Sequence, residues 1–370
     1  MKKKITIIAC VICFMLAVFC CKTFIPTLPF LSNGAWPNST DSKYTTPITI
    51  SQSASLSDLA ENLMDSCVTV AIVNNSNQVQ SFGSGVAVHA GGYIATNYHV
   101  ISSYVDTPSA YNVITYINGD MDTSYETKVL WYDAKLDIAV CQVKIDLPYV
   151  SMKDRVIYPT TNQNLRVLEQ VIAIGTPLDF SLQNWCTTGT ISKLECYSTS
   201  DGNLYEMLIG HTSPINHGNS GGALFDLSGN LIGLNTLGND DAHSVFFAVP
   251  IYPVMLVIDK VVELNEKTIA SKFTTPTLGI SGYDKLHAEL GEIDIDIESG
   301  FYVSAVLMTG VCYGELQEED VIIKIENSIR TFDVKNRNML SYALISSNKG
   351  ETIKITVLRN NQEITKEVTL

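Results

Sequence analysis

Three short segments hold the side chains that could do chemistry together. In Thr96-Asn97-Tyr98-His99-Val100 an imidazole follows an apolar run at 93–95, and in Lys135-Leu136-Asp137-Ile138-Ala139-Val140 a carboxylate stands at the mouth of another. In Gly218-Asn219-Ser220-Gly221-Gly222-Ala223-Leu224 a hydroxyl lies among glycines ahead of a third. Acyl transfer by a serine needs an imidazole to take its proton and a buried carboxylate to hold that imidazole in the right tautomer. It also needs donors for the oxyanion, and Gly218 has no side chain to obstruct the N–H groups of Gly218 and Ser220 as they turn toward one point. Each segment has a plainer reading alone: a serine among glycines as a tight turn, a histidine after a strand as structural, an aspartate opening a strand as a cap. The order His99, Asp137, Ser220 within one β-rich region is what unites them. Among rivals, Asp133 reads as a solvated turn residue and His217 as a loop residue, while His89, His211, His243 and His287 have no partner pattern and read as structural.

The elements that must position these groups read as strands. Apolar runs at 67–73, 86–88, 93–95, 129–132, 138–145, 171–174, 189–194, 207–209, 231–234 and 245–249, separated by turn signals and with no βαβ rhythm, argue for an antiparallel barrel or sandwich. Helical spacing of Leu56, Leu59, Ala60 and Leu63 precedes them, and a stripe of Ile251, Val254, Met255, Ile258, Val261, Val262 and Leu264 closes the region. A polar joint at 270–276 leads to a second domain of strands around one helical segment at 334–346. A length of 370 residues with 46% apolar and 17% charged content fits two folded domains. The formal charge of −14 repels phosphate backbones and disfavours nucleic-acid partners.

At the N-terminus Lys2, Lys3 and Lys4 precede an apolar run at 5–21 that Lys22 ends. This reads as an export signal, expected to stay as an uncleaved anchor with the lysines inside, although a long signal-peptide core fits the same run. Residues 32–55, rich in Ser, Thr, Asn and Pro, read as a tether. Outside the leader, Cys67, Cys141, Cys186, Cys196 and Cys312 form no CxxC pair and are odd in number, so no zinc knuckle, disulfide framework, metal or cofactor is expected.

The three segments, with Gly83-Ser84-Gly85, Ile174-Gly175-Thr176-Pro177 and Phe247-Ala248-Val249-Pro250, resemble the HtrA/DegP family of trypsin-like serine proteases over roughly residues 56–370. The resemblance implies a mainly β fold: a chymotrypsin-like double β-barrel at 55–270 and a smaller α+β PDZ domain at 275–370, after an anchor at 1–22 and a linker at 23–54. It implies His99 as general base then acid, Asp137 as its orienting carboxylate, Ser220 as nucleophile, and Gly218 with Ser220 as oxyanion donors. It also puts Pro214, followed by Ile215, at the base of an uncharged primary pocket suited to small or medium aliphatic side chains. Asn219 stands where activation by pairing with a newly cut N-terminus would need an aspartate. Only nine residues, 74–82, separate the first strand from Gly83, so the long loop of cage-forming members is missing, and Tyr98 and Thr176 are untypical.

Thr277-Leu278-Gly279-Ile280 resembles the carboxylate-binding loop of a PDZ domain, with Leu316, Asp320, Val321, Ile322, Ile325 and Asn327 matching a later part of that fold. The implied protein is a membrane-anchored, extracytoplasmic serine endopeptidase of protein quality control. It would cut unfolded proteins, bind C-terminal peptides and assemble as a homotrimer. The alternative is a chaperone or peptide-binding module with a misaligned triad.

Overall fold

The computed structural model describes residues 30–31, 35–51, 55–158, 164–200, 202–238, 244–267 and 273–370. The expected anchor at 1–22 lies outside them. No helix among the described residues is long and apolar enough to cross a membrane.

The first strands are β1 (Phe30–Leu31), β2 (Cys67–Asn74), β3 (Val79–His89), β4 (Tyr93–Thr96), β5 (Tyr111–Ile117), β6 (Asp120–Asp133) and β7 (Ile138–Val143). They form one sheet in the order β1-β6-β5-β2-β3-β4-β7, and a further β6–β7 pairing joins its ends into a ring with β1 outside. β2 reads as a continuous apolar run because both its faces are covered. Val68, Val70 and Ile72 fill the barrel, while Ala71 and Val73 pack outward with Tyr116 and Phe180. The second barrel closes in the order β10-β13-β12-β11-β8-β9. Its strands are β8 (Gln170–Gly175), β9 (Trp185–Ser200), β10 (Asn203–His211), β11 (Ala223–Asp226), β12 (Leu231–Gly238) and β13 (Phe246–Pro250). Val171, Ala173, Ile191, Ile209, Leu224 and Ile232 occupy its interior. The open choice between barrel and sandwich is thus resolved as two barrels.

Two helices flank the first barrel. Helix α1 (Leu56–Met64) starts with a capping box between Ser55 and Asp58, and α2 (Tyr98–Asp106) follows β4 directly. Helix α3 (Tyr252–Lys267) buries Val254, Val257, Ile258, Val261 and Val262, close to the expected stripe. Residues 35–51, expected as part of a free tether, lie on the body instead. Ser42 Oγ and Lys43 N both donate to Asp146, Ile48 N donates to Tyr149 O, and Ile48 and Ile50 pack on the core.

The C-terminal unit contains β14 (Ile280–Tyr283), α4 (Lys285–Leu290), β15 (Phe301–Val306), β16 (Val321–Glu326), β17 (Thr331–Asp333), α5 (Arg337–Ser346), β18 (Thr352–Arg359) and β19 (Gln362–Thr369). Its sheet runs β14-β15-β16-β18-β19, with β17 on β16, which leaves one edge of β14 open. The unit docks on the second barrel and α3. Tyr252 and Tyr342 meet edge to face at 5.5 Å, and the Arg330 guanidinium lies 3.9 Å from the centre of the Tyr158 ring. Lys260 of α3 donates to the carbonyls of Ile345, Ser346 and Ser347, where α5 ends with orphan acceptors and the negative end of its dipole. Burial pulls the Lys260 ammonium below its ordinary value, and the charge of Glu351 opposes that shift.

Replacing Lys260 by Met keeps the stem and removes the charged donor. It should weaken docking by about 1.5–3 kcal/mol, the usual range for a hydrogen bond to a charged group. Urea unfolding should show a lower midpoint and proteolysis near 268–275 should quicken; an unchanged midpoint would mean water serves those carbonyls equally well.

Candidate active site

Asp137 is the most constrained residue of the site. Asp133 begins its approach: one carboxylate oxygen accepts from the N–H groups of Lys135 and Leu136, closing a tight turn before β7. Asp133 is therefore a turn-forming group whose burial raises its pKa, not the solvated residue expected. Asp137 itself has φ +53°, a left-handed conformation that a short polar side chain tolerates, and its residue is 1% exposed. Its carboxylate accepts from the backbone N–H of His99 at 3.0 Å and from His99 Nδ1 at 2.9 Å, and Thr236 Oγ1 adds a third bond at 2.7 Å. Asp137 thus caps α2 from a distance, placing a negative charge at the positive end of that helix. Asn97, the residue before the helix, makes no side-chain cap and instead donates from Nδ2 to Asp137 O at 2.8 Å. The His99 side chain remains 39% exposed, with Nδ1 turned to the buried carboxylate.

The loop that carries Ser220 is held against the first barrel by Ser84 of β3. Ser84 N donates to Ser220 O at 2.7 Å, Ser84 Oγ donates to Gly218 O at 2.7 Å, and Ser84 Oγ accepts from Thr176 N at 2.8 Å. The approach is too close for side chains. A Cβ on Gly221 would lie 2.2 Å from Ser84 O, and one on Gly218 (φ +97°) 2.2 Å from Thr176 O. With His217 O accepting from Leu178 N and Asn219 O accepting from Gly222 N, planar trans peptides turn the N–H groups of Gly218 and Ser220 the other way. Neither N–H has an acceptor among the described residues. Ser220 Oγ donates to Thr236 O at 2.9 Å. Thr236 on β12 therefore touches both ends of the constellation, with its hydroxyl on Asp137 and its carbonyl on Ser220.

Of the residues expected in the site, His99 bonds Asp137 directly, Ser220 is linked to Asp137 through Thr236, and Gly218 lies on the same loop as Ser220. Pro214 and Ile215 do not form one pocket floor. Pro214 is exposed, its carbonyl taking a bond from Thr187 Oγ1, whereas Ile215 is 6% exposed in the interior of the second barrel. Asn219 is buried beside Gly175, and its Oδ1 has no partner among the described residues. Thr277, Leu278, Gly279 and Ile280 belong to the C-terminal unit, where Gly279 (φ +69°) accepts from Leu307 N and abuts Gly310. The sequence reading overlooked Thr236, whose only signal was a polar pair, Asn235-Thr236, ending an apolar strand. It also named Ser84 without assigning it a task.

Comparison with known proteins agrees with this geometry. Residues 83–234 match the model of the trypsin-like peptidase domain. Serine protease Do-like HtrA of Lactobacillus helveticus is 30% identical over 313 residues, covering 80% of this chain and 70% of that protein. Protease Do-like 1, chloroplastic, of Arabidopsis thaliana is 32% identical over 303 residues, covering 79% and 64%. A solved structure of a variant of the HtrA-type protease AlgW with a tripeptide has a TM-score of 0.60 at 26% identity, covering 85% of this chain and 96% of that one.

Replacing Thr236 by Val keeps the shape and strips one donor from a buried charge, so kcat should fall about 10–100-fold with little change in KM, as a loss of about 1.5–3 kcal/mol implies. A kcat within twofold of wild type in peptide hydrolysis would remove Thr236 from the positioning machinery. A second expectation concerns His211, which is 1% exposed and whose burial holds its pKa down to about 4 against an ordinary 6.5. Below 6.5 the unfolded chain takes up a proton that the folded one refuses, so His211 makes stability fall as pH drops from about 6.5 to about 4, by up to about 1.4 kcal/mol per pH unit. His211→Gln should flatten that limb of a plot of unfolding free energy against pH; an identical slope would show that other groups set it.

Proposed function

The chain belongs to the HtrA family of trypsin-like serine proteases and is a serine endopeptidase, and we propose that it cuts exposed segments of unfolded proteins with His99, Asp137 and Ser220. The observation that carries the assignment is the double engagement of Thr236, which ties a buried, helix-capping carboxylate to the nucleophile's hydroxyl. In the resting arrangement the hydroxyl hydrogen points at Thr236 O. A rotation about the Ser220 Cα–Cβ bond presents it to His99 Nε2, which takes the proton as Oγ attacks the scissile carbonyl. The resulting oxyanion falls to the N–H groups of Gly218 and Ser220, which have no competing acceptor to surrender, so they need no reorganisation as charge develops. His99 then returns the proton to the leaving amine, and water repeats the sequence on the acyl-enzyme. Asp137 stays ionised throughout, keeping the Nδ1–H tautomer and the ring orientation.

The substrate class follows from the surroundings. Leu178, 64% exposed, lies beside the oxyanion turn through its bond to His217 O, and Pro214 is exposed and uncharged. An apolar rim of this kind suits side chains that folding would bury. The C-terminal unit is read as a PDZ domain. The N–H groups of Leu278 and Gly279 have no acceptor among the described residues, and the open edge of β14 can take a peptide as an added strand. The lysines at 2–4 and the apolar run after them support an anchored protein with its catalytic part outside the cytoplasm, in keeping with a role in protein quality control, and the family resemblance supports a homotrimer.

A fluorophosphonate probe should label the full chain at Ser220 and leave Ser220→Ala unlabelled, with casein cleavage lost in parallel. Asp137→Asn, which favours the wrong tautomer, should lower kcat by about 10⁴-fold. A folded wild-type chain that neither reacts with the probe nor cleaves casein would transfer the protein to the peptide-binding class.

A further inference from the structure

Where the second barrel meets the C-terminal unit, Glu206 of β10 faces Asp284 and His287 at the start of α4. The Glu206 side chain and Asp284 are buried, and His287 is half-buried. One oxygen of each carboxylate and one ring nitrogen of His287 lie within 4.8 Å of one another. His287 Nδ1 is 2.7 Å from Asp284 Oδ1 and 3.6 Å from Glu206 Oε2. Asp284 is well served, accepting from the N–H groups of His287 and Arg337 as well. Glu206 is not. Its side chain is 6% exposed, and among the described residues its carboxyl group meets only the carboxyl of Asp284, with which it shares a hydrogen bond, and His287 Nδ1 at 3.6 Å. The nearest fixed cation, Arg337, spends one guanidinium nitrogen on Gly282 O. Burial first, then the neighbouring Asp284, pushes the Glu206 carboxyl up to about 8, which expresses how poorly the protein alone accommodates the second charge.

We propose that Glu206, Asp284 and His287 form a binding site for a divalent transition-metal ion, Zn²⁺ in particular, that cross-links the second barrel to the C-terminal unit. Ligands about 2.0–2.2 Å from a tetrahedral zinc are roughly 3.2–3.6 Å apart; the His287–Glu206 separation of 3.6 Å meets that range, and the His287–Asp284 separation of 2.7 Å would have to open as the ion replaces the hydrogen bond. One imidazole with two carboxylates is a donor set that zinc accepts, and two buried carboxyl groups set against each other are what such an ion would satisfy. Binding needs neutral imidazole, so any proton on Nδ1 is released to solvent and Nε2 keeps its own. A cleft of about 260 Å³ lined by Tyr197, Met207, Lys285 and Glu289 adjoins the cluster and gives an entry path and room for a water as fourth ligand. The ion would bind only when β10 and α4 are docked, so it would favour the docked arrangement by mass action. The site is separate from the hydroxyl chemistry and does not rest on the assignment of Ser220.

The test is calorimetric titration of Zn²⁺ into the full chain carrying Ser220→Ala, near neutral pH, with thermal unfolding followed in zinc and in chelator. One tight equivalent should bind, release protons and raise the unfolding temperature. Glu206→Gln and His287→Gln, both close in shape to the residues they replace, should each weaken that equivalent by at least about tenfold, on the scale of losing one coordinating interaction. Unaltered affinity in either folded variant would overturn the site. So would a wild-type chain that takes up no stoichiometric zinc and responds at this junction to pH alone, because the carboxylates would then be sharing a proton.

Discussion

The catalytic half of this molecule is organised around the cost of keeping one carboxylate charged and out of water. An ionised group as buried as Asp137 is tolerable only when donors converge on it. Here they come from three places: the first turn of α2, the imidazole of His99 and the hydroxyl of Thr236 on the other barrel. Each donor fixes something besides the charge. The backbone N–H fixes where α2 begins, the imidazole bond fixes the ring that must face Ser220, and the threonine bond fixes the register of β12 against the first barrel. A substitution that neutralised Asp137 would therefore disturb a helix terminus and a barrel contact along with the chemistry.

The same logic explains why the site sits between barrels. Ser84 from the first barrel serves the carbonyls of Gly218 and Ser220, and it is itself held by Thr176 N from the second. Thr69 and Thr176 bond each other across the same boundary at 2.6 Å. Ser84 pins the loop by the carbonyls of Gly218 and Ser220, while the N–H groups of Gly218 and Ser220 are turned by the bonds on His217 O and Asn219 O, because a planar peptide cannot turn one end without the other. Those two N–H groups are thus set by backbone bonds within the second-barrel half, and the glycines at 218 and 221 are the positions where Thr176 O and Ser84 O come too close for a Cβ.

How much of this was legible in the sequence depends on whether residue type or register carries the information. The proposed triad was legible because its members are chemically distinctive and fall in strings with little freedom. The β character was legible from alternating and continuous apolar runs, but two barrels could not be told from a sandwich, since period-two burial is common to both. Thr236 went unseen because a threonine in a strand is ordinary, and only the β12 register makes its hydroxyl and carbonyl functional. Pro214 and Ile215 were paired by adjacency, although successive residues on an extended segment face opposite sides. Residues 35–51 read as a tether by composition, yet their few apolar side chains, Ile48 and Ile50, find a groove that only the folded surface supplies.

The junction with the C-terminal unit follows the principle that governs Asp137 but fulfils it unevenly. Lys260 on the end of α5 and Arg330 between Tyr158 and Tyr252 are charges whose partners come from the opposite unit, so each is satisfied in one relative orientation. Such groups add little net stability over an apolar contact, because desolvation offsets most of the attraction. Their effect is on which orientation is allowed, since any rotation strands a buried charge. Glu206 is the member of this set whose carboxyl faces another acid, Asp284, with His287 Nδ1 no nearer than 3.6 Å. A domain joint built from satisfied charges with one pair of facing acids is fixed in direction but open in occupancy. That asymmetry makes Glu206, and not the better-paired Lys260 or Arg330, the point at which a small cationic species could tighten or release the docking of the C-terminal unit.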